Sequence, residues 1–310
     1  MTSQTKRFNI TVIDTTGGGG DTALETAFAA LSSGTWGTFT FGNSFNPDPT
    51  GVGDTMMSYT QRAVYDPVRK KIQFVGGTHG GGASANRHFL ATYDAAANTW
   101  ATPVVVPGGS QTFEHTYYNA AVDSVTGYVY VRHAFSDFGN LHVFNENTRA
   151  WISNVAGPGF GTNYGIALQY HAARDRLMWG HYWGVSERPS GGSWASITTA
   201  NRIGDQGPVC AYSAKDSCVY MGGGGGEGAG QLWKINASGV MTSVATGPSL
   251  GVWDAGSGGS TSALFGSGNP SNRLLSIAKD RTIREYDEVG NSWSGTIDTA
   301  PAGLSPGVNP

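Results

Sequence analysis

The sequence predicts an all-β chain: a β-propeller of about five four-stranded units, preceded by a short extension with one small helix. Three observations carry this. First, one phrase recurs with a fixed internal spacing, an aromatic residue, then Asp or Asn, then Trp seven positions after the aromatic. It occurs as Tyr93-Asp94 with Trp100, Phe144-Asn145 with Trp151, and Tyr286-Asp287 with Trp293. Recurrence of a unit at a period of roughly 40–50 residues marks a ring or stack of repeats. Second, 47 Gly, 13 Phe, 13 Tyr and 9 Trp are spread over 310 residues of which only 13% are charged. That mixture suits short strands joined by tight turns and argues against disorder. Third, two strand-like stretches joined by a polar turn lie ahead of each phrase, so each unit reads as four strands, here called a to d.

In chain order, residues 1–35 stand outside the repeats. Residues 8–13 read as a strand and 17–20 as a glycine joint. Thr22-Ala23-Leu24-Glu25 fits a capping box that opens a helix ended by Gly34, with Leu24, Ala27, Phe28 and Leu31 as its apolar stripe. This helix either seals the propeller or docks it onto something else. Residues 35–41 are the outer strand of a degenerate sixth unit, if one exists. Alternatively this segment closes the ring by pairing with the last sheet, which removes open edges.

Unit one spans 60–77 and then HFLATYDAAANTWATPVVV; unit two spans 117–133 and then NLHVFNENTRAWISNV. Unit three spans 165–181, followed by a shortened third strand and SWASIT; unit four spans 208–224 and then QLWKINASGVMTSVA; unit five spans 261–278 and then TIREYDEVGNSWSGTI. Turns such as DPVRKK, DSVTG, NASG and DEVGN have the Asp, Asn, Gly and Pro chemistry of short reversals. Strand b alternates through Ile72 and Phe74 in unit one and Val129 and Val131 in unit two. Sheets with two apolar faces must pack on neighbours, and a ring does this for all of them. The repeated Trp and its aromatic are therefore expected to fill the gaps between sheets as core, each ring worth on the order of 2 kcal/mol.

The repeats resemble those of the kelch family of β-propellers, in which a strand ending in a Gly pair precedes a Tyr-Asp and an Asn-Thr-Trp element. Unit one matches with Gly76-Gly77, Tyr93-Asp94 and Asn98-Thr99-Trp100. Unit four keeps Gly222-Gly223 without the Trp, unit three lacks the aromatic at the expected distance from Trp194, and units two and five lack the Gly pair. The resemblance covers about residues 53–300; it implies an architecture and no particular activity. Some kelch-like propellers are copper oxidases with a Tyr–Cys cross-link and two His ligands, and no such set can be matched here.

Charge and cysteine content narrow the functional classes. A net charge of −3, from 19 basic and 22 acidic residues, leaves no electrostatic footprint for nucleic acid. Cys210 and Cys218 have neither disulfide-framework nor zinc spacing and are expected to be buried free thiols. The seven His residues form no local pair with ligand spacing on a helix, so neither metal nor cofactor is expected. The opening 20 residues hold no apolar run of signal-peptide length, and nothing later reads as a bilayer span. The expectation is a soluble chain with no membrane insertion.

In a propeller the b–c and d–a connections gather on one face around the axis. Here these are 78–87, 134–140, 182–192 and 224–230, with 107–115, 201–207 and 248–258. His133 and His181 align with Gly76 and Gly223 at the end of strand b, and Arg132, Trp179, Tyr182 and Trp183 lie beside them. Such a cluster on a concave rim suits a sugar, whose ring stacks on aromatics while polar groups bond its hydroxyls. The blander reading is that these side chains fill space where other units pack backbone. Glu114, Asp137, Glu187, Asp205, Glu227 and Asp254 are the acids expected on the rim, and no two form an assignable acid–base pair.

The expected function is accordingly a non-enzymatic interaction or structural propeller of the kind displayed on bacteriophage virions. Residues 1–35 would join other virion or scaffold proteins, and the propeller would be free for surface glycans. The alternatives are a carbohydrate-active hydrolase or lyase using the rim acids with His133 or His181, and an intracellular kelch-like adaptor for a partner protein.

Overall fold

The computed structural model describes residues 23–30, 39–45, 63–77, 88–107, 120–132, 139–159, 166–200, 203–204, 208–224, 231–245, 253–254, 259–260, 263–265, 274–278 and 281–301. Five antiparallel sheets follow one another as the blades of a β-propeller. Blade one runs Ala63–Asp66, Lys71–Gly77, His88–Asp94, with an outer strand in two pieces, Thr99–Trp100 and Val104–Val105. Blade two runs Ala120–Asp123, Tyr128–Arg132, Asn140–Asn145, Ala150–Ala156. Blade three runs Ala167–His171, Arg176–His181, Gly184–Pro189, Ala195–Thr198, and blade four Val209–Ser213, Cys218–Gly222, Leu232–Ile235, Met241–Ser243. Blade five runs Ala263–Phe265, Leu274–Ile277, Thr282–Asp287, with an outer strand in two pieces, Ser292–Trp293 and Asp298–Thr299. The a strands of consecutive blades lie side by side from blade one to blade five.

The turns that join a to b and c to d are built by the residues the sequence supplies. Asp66 Oδ1 accepts the Val68 N–H at 2.9 Å, Asp123 Oδ1 the Val125 N–H at 2.9 Å, and Asp287 Oδ1 the Val289 N–H at 3.2 Å. Among the described residues these turns pass through a left-handed residue before the next strand. Glycine fills that place at Gly127, Gly191 and Gly239, whereas Lys70, Asn98, Arg149, Asp175, Ser217 and Asn291 fill it elsewhere at φ between 47° and 55°.

The recurring Trp residues occupy equivalent surroundings. Trp100, Trp151 and Trp293 sit directly across from Tyr93, Phe144 and Tyr286, with ring centroids 5.2 Å apart in all three. In blade three the strand-c aromatic is missing, and Trp179 from strand b takes its place, 5.7 Å from Trp194. Each pair faces the preceding blade. Phe144 and Trp151 meet Val64, Val75 and Leu90 of blade one; Trp179 and Trp194 meet Tyr130, Leu141 and Val143 of blade two. Tyr286 meets Tyr220 of blade four edge-on at 5.5 Å. The indole N–H of Trp151 also donates to Val105 O at 2.8 Å, and that of Trp194 to Ala156 O at 2.6 Å. Each bond ties a blade to the outer strand of the one before it.

The described part of the N-terminal segment covers the aromatic face of blade one. Phe39, Phe41 and Phe45 pack with Tyr93 and Trp100, and Leu24 of the helix Ala23–Ala29 is buried in the same cluster. Asn43 grips the backbone of Trp100 from both sides: its Nδ2 donates to Trp100 O at 2.9 Å, and its Oδ1 accepts Trp100 N–H at 2.6 Å. Gly42 N–H donates to Asn98 O at 2.8 Å. Residues 39–45 form no strand. The expected outer strand of a sixth unit is thus replaced, in its described part, by a wedge of phenylalanines, and it bonds to the first sheet instead of the last. The predicted cap residues Thr22 and Gly34, and the side chain of Phe28, lie outside the described residues.

Two further expectations are corrected. The third strand of unit three is not shortened: Gly184–Pro189 pairs along its whole length with Arg176–His181. The connection between blades four and five, read as loop, contains a hairpin of Trp253–Asp254 with Gly259–Ser260. Cys210 and Cys218 are buried free thiols, as expected. Cys210 donates to Leu168 O of blade three at 3.3 Å, and burial first, then the charge of Asp216, raises the Cys218 thiol to about 12.

Polar residues fasten the turn-bearing side. Glu146 of blade two is buried against blade one, where Lys71 Nζ donates to it at 2.8 Å and Gln73 Nε2 at 2.5 Å. Thr92 Oγ1 completes the chain by donating to Gln73 Oε1 at 2.7 Å. Removing the carboxylate orphans two buried or half-buried donors, so Glu146→Ala should lower the unfolding free energy by about 3 kcal/mol in a urea titration. Lys70 bears a Cβ in a left-handed conformation that glycine adopts freely. Lys70→Gly should therefore raise stability by up to about 1 kcal/mol, whereas Gly127→Ala should lower it by about 1–2 kcal/mol, since its Cβ would meet the Arg69 guanidinium.

Candidate functional site

Strand b of blade two ends at Arg132, and strand b of blade three ends at His181. A two-residue reversal, Tyr182-Trp183, carries the chain from His181 to Gly184, which pair with each other across the turn. Gly184 has φ 136°, and a Cβ there would collide with the Thr198 carbonyl oxygen, so this turn requires glycine. The b–c connection of blade three is therefore only residues 182–183, not 182–192 as the sequence reading placed it.

The six candidate residues divide. His181, Arg132 and Trp179 come together and are buried, at 0%, 0% and 1% exposure. The Arg132 guanidinium lies over the Trp179 ring, 5.3 Å from its centroid, a cation–π contact across blades two and three. Burial lowers the Arg132 guanidinium to about 10 and, with the Arg132 charge as a second cause, holds His181 down at about 4. His181 Nδ1 accepts the Trp183 N–H at 3.2 Å, so its ring is neutral and braces the turn. Trp183 itself is 50% exposed and stands edge-on to Tyr182, with centroids 4.8 Å apart. His133 lies outside the described residues.

What reaches solvent from this cluster is thus an aromatic pair on a rigid base. The groups with acid–base or ionic chemistry lie beneath it, shielded from solute. Of the acids expected on the rim, Glu187 sits on strand c and pairs with Arg174 on the opposite side of the blade. Arg174 Nη2 lies 2.6 Å from Glu187 Oε2, and Arg174 Nη1 donates to Ala237 O of blade four at 3.0 Å. The side chains of Glu114, Asp137, Asp205, Glu227 and Asp254 lie outside the described residues. The signal that would have separated the six residues is in the sequence. His-Tyr-Trp-Gly after an apolar run is a two-residue reversal closed by glycine, which turns its middle residues outward and its flanks inward.

A second buried imidazole has a purely inter-blade setting. His171, at the end of strand a of blade three, lies 3.2 Å through Nε2 from both Ile235 O and Asn236 O of blade four. Burial lowers its pKa as well. Among the described residues, no group of three or more His, Cys, Asp or Glu is arranged to hold a metal ion.

These imidazoles give the fold an acid limit. A histidine whose folded-state pKa is depressed contributes stability that is intact above its ordinary value of 6.5 and is lost as pH falls from there. For His181 the loss runs from about 6.5 down to about 4 and is complete below that. Across this window urea midpoints should fall by an amount equivalent to about 3 kcal/mol at most. His181→Gln should flatten the pH dependence while lowering stability at pH 7.

Comparison of the sequence with protein-family models and with curated proteins finds no match. Solved structures do match in shape. A chain of a nidogen/laminin complex is 12% identical, with a TM-score of 0.50 over 76% of this chain and 78% of that one. A structural genomics protein of unknown function from Bacteroides thetaiotaomicron VPI-5482 is 16% identical over 69% of this chain and 55% of its own, with a TM-score of 0.44. A chain of a mitotic checkpoint complex is 12% identical over 87% of each, with a TM-score of 0.46. At 12% identity the likeness to the nidogen/laminin chain is one of fold alone.

Proposed function

We propose that this chain is a non-catalytic propeller that recognises another macromolecule through the face bearing Tyr182 and Trp183. Its ligand class is a glycan, and its setting is the surface or tail of a phage-type particle. The observation that carries the reading is the half-exposed Trp183 on a turn fixed from below by His181 and Gly184. An aromatic face held without rotational freedom in its backbone stacks on a pyranose ring at little entropic cost. The chemistry that a hydrolase or lyase needs is, for His181 and Arg132, committed to packing between blades. Low charge and a segment set apart at the N-terminus suit a displayed module that joins a particle through residues 1–35.

Calorimetric titration against a panel of bacterial surface oligosaccharides tests this. The full chain should bind at least one without degrading it, and Trp183→Ala should weaken that binding about tenfold with its melting temperature unchanged. Turnover of a polysaccharide, or binding indifferent to Trp183→Ala, would overturn the reading.

A further inference from the structure

On the turn side, the junction of blades four and five repeats that of blades one and two with its charges changed. The strand registers make the positions equivalent. Asp66 pairs with Lys71 across its a–b turn and Ser213 with Cys218, so Arg69 corresponds to Asp216 and Gln73 to Tyr220. Phe144 and Tyr286 face Trp151 and Trp293 in the same way, so Glu146 corresponds to Glu288 and Arg149 to Asn291. At the first junction donors surround Glu146: Lys71 at 2.8 Å, Gln73 at 2.5 Å and Arg149 at 3.7 Å, while Arg69 pairs with Asp66 at 2.9 Å. At the other, a thiol stands for Lys71, a phenol for Gln73 and an amide for Arg149, and a carboxylate, Asp216, stands for the Arg69 guanidinium. The Tyr220 hydroxyl donates to Asp216 Oδ2 at 2.5 Å and the Tyr286 hydroxyl to Asn291 Oδ1 at 2.5 Å, so neither serves Glu288. Glu288 is nonetheless 8% exposed. Lys215 stands 3.5 Å from its Oε2 without making a hydrogen bond, and the lysine side chain is 29% exposed. Four buried oxygens of this junction, Glu288 Oε1 and Oε2, Asp216 Oδ1 and Ser213 Oγ, have no hydrogen-bond partner among the described residues. Ser213 is 0% exposed and shares a sheet face with its cross-strand partner Cys218, the face turned to blade five.

We propose that the junction of blades four and five binds a hard divalent cation, calcium or magnesium, through Asp216 Oδ1, the Glu288 carboxylate and Ser213 Oγ. Two carboxylates taken out of water together are unfavourable unless a cation joins them. Burial, then the charge of Asp216, then that of Glu288 raise the Tyr286 hydroxyl to about 12, so both carboxylates lie beside one ring. Every unsatisfied atom of the cluster is an oxygen, and carboxylate, hydroxyl and water oxygens are the ligands that hard cations take. The neighbouring sulfur is no ligand, because the Cys218 thiol donates to Asp216 O at 3.4 Å. The sequence expectation of no metal rested on histidine spacing, and this site uses no histidine. It has two acids rather than a cluster of three acidic, imidazole or thiol groups. The ion would tie the c–d turn of blade five to the a–b turn of blade four, the service that Lys71 and Gln73 perform between blades one and two.

Thermal melting of the full chain after treatment with a chelator, with calcium chloride or magnesium chloride added back, tests the proposal. At least one of the two salts should raise the melting temperature by about 5 °C at saturation, and calorimetric titration with that salt should show a single site. Glu288→Gln and Asp216→Asn should each remove the rise, and Glu146→Gln at the equivalent junction should keep it. In chelator, Glu288→Gln should melt no lower than the parent chain, since it no longer buries a carboxylate short of donors. A parent chain indifferent to both salts up to about 10 mM overturns the proposal, as does a rise that survives both Glu288→Gln and Asp216→Asn. A Glu288→Gln chain that melts below the parent in chelator also overturns it, because Lys215 would then be a sufficient partner.

Discussion

Everything in this molecule follows from covering both faces of a small sheet. A four-stranded antiparallel blade with apolar side chains above and below has no stable existence by itself. The repeated Trp and the aromatic residue beside it solve half of the problem, because in blades two, three and five they form a wedge that points toward the preceding blade. The smaller residues on the other face, such as Val75 and Leu90 in blade one, receive the wedge of the blade that follows. Once the wedge has a direction, the order of blades and the facing of every strand are set.

A directional wedge also dictates what happens at the start of the array. The position after the aromatic–Asx pair is Glu146 in blade two and Glu288 in blade five, each reaching a lysine of the blade before it. In blade one the same position is Ala95, buried among phenylalanines of the N-terminal segment. A carboxylate there would be taken out of water with no lysine to receive it, a cost of several kcal/mol. The replacement of Glu by Ala matches the replacement of a blade by a wedge of Phe39, Phe41 and Phe45. Asn43 adds the backbone bonds that a neighbouring strand would otherwise make, through one side-chain amide on both sides of Trp100.

Much of this was legible in the sequence, and the parts that were not share a cause. Spacing alone located Trp100, Trp151 and Trp293 in equivalent places, since a seven-residue interval across a tight turn brings the two rings opposite one another. It failed in unit three because Trp179 reaches the same space from strand b, and periodicity along one strand cannot register a substitution made from the next. Residues 39–41, the described part of the segment 35–41, read as strand because alternating Phe and Thr satisfies a period of two whether or not a partner strand is present. For the candidate site, alignment at the end of strand b singles out His133 and His181, with Arg132 beside them; of these, His181 and Arg132 are described and both are buried. It could not say that they point inward, because a residue replacing glycine at a strand end fills the inter-blade gap as readily as it lines a rim. The depressed pKa of His181 has the same origin in burial and marks structure in this case.

The contrast between the interior and the periphery of the blades gives the arrangement its functional sense. Inner strands are held on both faces by neighbouring blades, so their polar residues, Asp66, Asp123 and His171, serve turns and neighbouring blades and are buried. At the rim, among the described residues, the two-residue turn of blade three presents Trp183 above a buried imidazole. That is a departure from what burial alone would select, since a half-exposed Trp carries a cost in solubility. The turn is fixed from below by Gly184 and His181, so the indole is presented without any movement of the blades.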